Sequence, residues 1–132
     1  MTAVPFTEMQ GVAPVVPIAG TITTFYANWS LGQPNNYDVS QVGTIHAILA
    51  RATSNSADFL PIPGTRIDLT PTITFDDIYD EDHNALRPVR AGGLTGLSVP
   101  VVAGDRLLVL FWITGTPGIY LSSKCGAGVT IQ

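Results

Sequence analysis

Apolar and polar residues alternate with a period of two through much of this chain, and helical spacing is scarce. Successive side chains of a strand point to opposite faces, so this period predicts strands. Residues 42–53 place Ile45, Ala47 and Leu49 on one face and His46, Ile48 and Ala50 on the other. Residues 66–74 set Ile67, Leu69 and Ile73 against Arg66, Asp68 and Thr70. Residues 21–30 are rich in β-branched and aromatic side chains, which suit a pleated surface. Residues 94–101, 106–114, 119–122 and 126–132 read as further strands, and the Pro-bounded residues 14–17 as an extended lead-in. Turns are predicted over residues 31–36, 54–58, 103–105 and 115–118 and at Pro63-Gly64. Residues 75–93 are the least regular part. About eight short strands, with turns roughly every ten residues, predict an all-β antiparallel sandwich of jelly-roll type. The chain divides into an extended N-terminal segment, residues 1–14, and one head domain, residues 15–132.

One strand breaks the alternation. Leu107, Val109, Phe111 and Ile113 fill one face, yet Leu108, Leu110 and Trp112 on the other face are apolar too. A sheet with one solvated face would alternate apolar and polar residues. Two readings account for the second face: a central strand covered by a loop, or a subunit interface built on Leu108, Leu110 and Trp112.

Composition favours the interface. Charged residues make up 12% of the chain and hydrophobic residues 45%, against about 25% charged in an ordinary soluble domain. A small domain has too much surface to hide such an excess in one core, and obligate interfaces resemble a core cut in half. A homo-oligomer, a trimer in the first instance, is the expected partner. A membrane span is not expected, since the apolar run at 107–113 falls far short of the about 20 residues a helix needs. The N-terminus has no basic region followed by an apolar core, so no Sec signal peptide is expected in this chain. Six Lys and Arg with a net charge of −4 give no phosphate-tracking surface, which argues against nucleic acid.

The order of segments resembles the C-terminal domain of the BclB-type exosporium glycoproteins of spore-forming bacteria. The resemblance rests on residues 16–23 (VPIAGTIT), 59–64 (FLPIPG) and 67–71 (IDLTP), then 96–101 (GLSVPV), 103–104 with 106–111 (RLLVLF), and 126–131 (GAGVTI). These pieces are collinear with that family across most of residues 15–132. The resemblance implies a tumour-necrosis-factor-like head that trimerises. It further implies a spore-surface or exosporium location, contacts with other coat or exosporium proteins, and no catalytic residues. The acidic residues 75–90 and Cys125 depart from the family pattern.

The chemistry-bearing residues are few. Asp76, Asp77, Asp80, Glu81 and Asp82 hold five of the ten acidic residues, followed by His83. Ca²⁺ takes six to eight oxygens, roughly, from carboxylates and carbonyls. Asp76, Asp77, Asp80 and Asp82 are therefore the candidate Ca²⁺ ligands, with a solvated acidic loop as the alternative. No other cofactor is expected. His46 reads as a packed or surface histidine, and His83 with Asp80 and Asp82 as a weak transition-metal set. No Gly-x-Ser-x-Gly and no Cys–His pairing points to nucleophilic catalysis, so the protein is expected not to be an enzyme. Tyr26, Trp29, Tyr37 and Tyr120 are candidates for a sugar-stacking surface, with cross-strand packing as the plainer reading. The single cysteine, Cys125, is expected to be buried and inert. Three functions follow: a structural trimeric head, a fibre subunit joined by N-terminal strand exchange, and a carbohydrate-binding module.

Overall fold

The computed structural model describes residues 4–5, 14–32, 41–116 and 123–132. It is an all-β sandwich of two antiparallel sheets. The first sheet holds β1 (Val4–Pro5), β4 (Asp58–Pro61), β3 (Val42–Ala52), β5 (Ile67–Thr74) and β8 (Arg106–Gly115). The second holds β6 (Val89–Leu94), β2 (Gly20–Leu31), β7 (Val99–Val101) and β9 (Ser123–Ile131). The one helix among the described residues is a single turn, α1 (Phe75–Ile78). No helix in them is long and apolar enough to cross a membrane.

Each sheet is organised by one long strand. β3 pairs with β8 from Gly43↔Gly115 to Ala52↔Arg106, and on its opposite side with β5 and then β4. β2 pairs with β9 along one side and with β6 and β7 along the other. The predicted period decides what lies between the sheets. Phe25, Ala27, Trp29 and Leu31 of β2 face Ile45, Ala47 and Leu49 of β3 with Leu69 and Ile73 of β5, all buried. Burying each large side chain of this set is worth about 1.5–3 kcal/mol. Val109, Phe111 and Ile113 pack against the same core from β8.

Among the described residues three polar side chains are buried, His46, Asp105 and Thr65, and Thr65 is the one fully enclosed. Its hydroxyl donates to the Ile62 carbonyl at 2.7 Å and accepts the Leu49 N–H at 3.2 Å. Thr65 thereby pins the 62–65 turn to β3 and leaves no polar atom without a partner.

Two boundaries differ from the sequence expectation. A strand was expected over residues 94–101; instead β6 ends at Leu94 and β7 begins at Val99. β6 runs through Gly92 and Gly93, a pair that reads as a turn. Packing overrides that signal. A Cβ on Gly92 would sit 2.8 Å from Ile67 and 3.2 Å from Leu69, so the glycine lets the first sheet's side chains reach the β6 backbone. The predicted strand over 119–122 lies outside the described residues.

Among the described residues the two-sided apolar strand lies at the edge of its sheet. β5 and β8 take opposite sides of β3, and the strand ladder on β8 is to β3 alone. Among the described residues, β8 meets on its outer edge the bridge Val15↔Arg106, where Leu107 N donates to Pro14 O and Val16 N to Asp105 O. Among the described residues β8 is thus an edge strand with a second apolar face.

Candidate functional site

β3 and β8 together build the outer face of the first sheet. Their register places His46 opposite Trp112, Ile48 opposite Leu110 and Ala50 opposite Leu108. Leu108, Leu110 and Trp112 therefore share one face, as their spacing predicts, and each is half-buried. Leu108 and Leu110 pack on Ala50, Ala52 and Phe59, a small second core on the outside of the sheet. The face is apolar from Leu108 to Trp112 and then turns polar. Natural edge strands are usually blunted by charges, proline or bulges. Between Arg106 and Gly115, β8 carries none of these.

The polar end centres on His46, which is 4% exposed. Its Nδ1 lies 2.7 Å from Asp68 Oδ1 and its Nε2 lies 2.5 Å from Thr114 Oγ1. Arg66 Nε donates to the same Asp68 oxygen at 3.0 Å. The His46 ring stacks on Trp112 with centroids 5.1 Å apart, and the Arg66 guanidinium lies 5.7 Å from the Trp112 ring centroid. The hydrogen bond from His46, and next that from Arg66, hold the Asp68 carboxyl below the usual carboxylate range. Sequence reading singled out His46 only as a packed or surface histidine. Its partners come from β5 and β8, 22 and 68 residues away, so no local motif marks the group. The one available signal is parity: His46, Asp68 and Thr114 all fall on outward positions of predicted strands.

Among the described residues a groove opens between β8 of the first sheet and β9 of the second. Leu107 and Phe111 of β8 line one side, and Cys125 to Val129 of β9 the other. Cys125 is exposed here, not buried as expected. β9 is an edge strand of small residues, Gly126, Ala127 and Gly128, so nothing bulky covers the thiol on its own strand. Partial burial against the groove pushes the thiol's pKa up.

The four candidate Ca²⁺ ligands do not converge. Asp77 accepts from Thr74 N at 2.8 Å and Thr74 Oγ1 at 2.9 Å, closing the cap of α1, and pairs with Arg90 at 3.3 Å. Asp80 accepts from the N–H groups of Asp82 and Asn84 at 2.9 and 2.8 Å. The bond from Asn84 is the main reason its carboxyl sits below the usual range. Asp76 and Asp82 do not join them: among the described residues no three His, Cys, Asp or Glu side chains form a group able to hold a metal ion. His83 instead lies near the rings of Phe75 and Tyr79.

The aromatics do not form a platform either. Trp29 is 2% exposed and belongs to the core, which removes it from any sugar-stacking surface. Tyr26 is exposed on β2, while Tyr37 and Tyr120 lie outside the described residues. Comparison with protein family models, with curated proteins and with solved structures found no match.

Proposed function

We propose that this chain is a structural, self-assembling head domain of a bacterial spore-surface protein of the exosporium type, acting as a homotrimer and without catalytic turnover. The observation that carries the self-assembly is the outer face of β8. Leu108, Leu110 and Trp112 stand side by side on an edge strand, half-buried, continuous with Ile48 and Ala50 of β3. Covering that face in a neighbour removes apolar area from water at about 25 cal/mol per Å². Closed symmetry satisfies every copy at once, which favours a ring over an open chain. The spore-surface assignment rests on the collinear resemblance of residues 16–131 to the BclB-type heads. Sedimentation at micromolar concentration tests the assembly: one species of three chains is expected, and a stable monomer overturns the reading.

A fibre subunit is the second reading. It is favoured by the outer edge of β8, where pairing with the described residues stops at Val15↔Arg106 and leaves the ladder open toward Gly115. An added strand from another copy would extend it. Light scattering separates the two, because a closed trimer keeps one mass while a fibre grows with concentration.

A further inference from the structure

The polar end of the outer face holds an arrangement that self-assembly does not use. A carboxylate, an imidazole and a hydroxyl stand in line: Asp68 Oδ1 to His46 Nδ1 at 2.7 Å, and His46 Nε2 to Thr114 Oγ1 at 2.5 Å. Two groups approach Nδ1: the Asp68 carboxylate, which can only accept, at 2.7 Å, and Arg66 Nη2, which can only donate, at 3.3 Å. The shorter contact assigns the proton of the neutral imidazole to Nδ1, so Nε2 accepts the Thr114 hydroxyl proton. That is the order of roles by which a base activates a nucleophilic hydroxyl, with a third group fixing the base's tautomer. Burial divides the parts in the same sense. His46 is almost wholly buried beneath Trp112, whereas Thr114 is exposed to an incoming reagent.

We propose that Thr114 is an activated hydroxyl that accepts an acyl group from a small activated ester or thioester. Thr114 Oγ1 adds to the donor's carbonyl carbon while its proton passes to His46 Nε2. The tetrahedral adduct collapses, the carbon–oxygen or carbon–sulfur bond to the leaving group breaks, and His46 returns the proton to the departing alkoxide or thiolate. The products are acyl-Thr114 and an alcohol or thiol, with no change in oxidation state. Asp68 is a positioning residue, since it acts through His46.

The backbone supplies a donor for the oxyanion. Thr116 N donates to Val42 O, and Leu107 N donates outward to Pro14. The β3–β8 register runs unbroken between them. Antiparallel ladders alternate inward and outward pairs, so Gly115, in the same parity as Leu107, turns its N–H away from β3. The amide following the nucleophile is a recurrent oxyanion donor. Thr114 stands exposed, which admits small, freely diffusing reagents. This inference goes beyond the structural role and stands or falls apart from it, because the chemistry needs one chain only.

The test uses the full chain with p-nitrophenyl acetate. The expected result is a burst of nitrophenol approaching one equivalent per chain, with the acetyl group mapped by peptide mass analysis to Thr114. Thr114→Val keeps the shape and the fold but loses the burst, a fall of about a hundredfold or more in acylation rate, the scale of base assistance. Thr114→Ser retains it. Asp68→Asn lowers the maximal acylation rate and leaves the half-saturating ester concentration unchanged, a split that a purely structural role would not give. No burst, a burst undiminished in Thr114→Val, or acetyl found instead on Lys124 or Cys125 overturns the proposal.

Discussion

The indole of Trp112 stacks on the imidazole of His46, with the planes inclined by 26°, and the β3–β8 ladder pairs the two residues directly. Trp112 therefore has two neighbours to lose in its own chain: the ring beneath it and the Arg66 guanidinium, 5.7 Å from its ring centroid. A carboxylate at position 112 would gain Arg66 as a neighbour but lose the stack on His46, and in the proposed assembly it would be desolvated. Trp112→Asp is expected to convert the oligomer to monomer or unfolded chain. Sedimentation beside circular dichroism distinguishes those two results. A mutant that assembles like the parent would show that Trp112 faces water.

Thr65→Val is expected to cost about 1–3 kcal/mol, since it leaves the Ile62 carbonyl and the Leu49 amide without their buried partner. Urea denaturation measures it. The valine is nearly isosteric, so packing loss is small and the hydrogen bonds dominate. A change within about 0.5 kcal/mol, the usual range for inert surface sites, would mean that the turn rearranges or admits water.

The sandwich itself was legible because the period of two is strong where one face is buried. Ile45, Ala47 and Leu49 face the core as their spacing requires. The two-sided strand at residues 107–113 was legible as an anomaly, but its place at an edge was not: pairing order depends on contacts far apart in sequence. β6 was hidden because Gly92 and Gly93 are turn residues locally, and only the approach of Ile67 and Leu69 explains them. Cys125 was misread because a free cysteine is usually buried. The Asp68–His46–Thr114 line could not be read at all, since three strands supply one residue each.

Calcium is expected to leave the melting temperature unchanged, as is a chelator. Asp77 already closes the α1 cap and pairs with Arg90, and Asp80 holds its own turn. A cation would have to break those bonds before gaining ligands. Differential scanning with millimolar Ca²⁺ and with EDTA checks this. A rise in the calcium arm alone would show that the acidic residues rearrange around a cation.

Gly115→Ala is expected to destabilise the chain by about 1–3 kcal/mol or more, the range for a forced backbone outlier. Gly115 has φ of 145°, and a Cβ there would lie 2.1 Å from the Val42 carbonyl oxygen. Relief requires β8 to move from β3 at its last pairs, beside Thr114. The substitution should therefore lower stability in thermal unfolding and also loosen Thr114, visible as faster amide exchange at residues 113–116. Unchanged exchange there would mean that the strain is absorbed elsewhere.

Asp68 gives the fold an acid-side dependence whose sign is fixed by its partners. Hydrogen bonds from His46 and Arg66 favour the carboxylate, so its folded pKa lies below its unfolded value. Such a group contributes stability above the unfolded pKa, near 4 for a carboxyl, roughly, and loses it as pH falls through the folded value. The side chain is 51% exposed, so water screens the interaction and its worth stays at or below about 1 kcal/mol. Asp68→Asn is accordingly expected to be slightly less stable than the parent at pH 6 and to converge with it as the carboxyl is protonated. Urea midpoints of both proteins at pH 6 and pH 3 measure the gap. If the gap stays constant down to pH 3, the carboxylate charge contributes nothing, and the His46 bond matters only through its geometry.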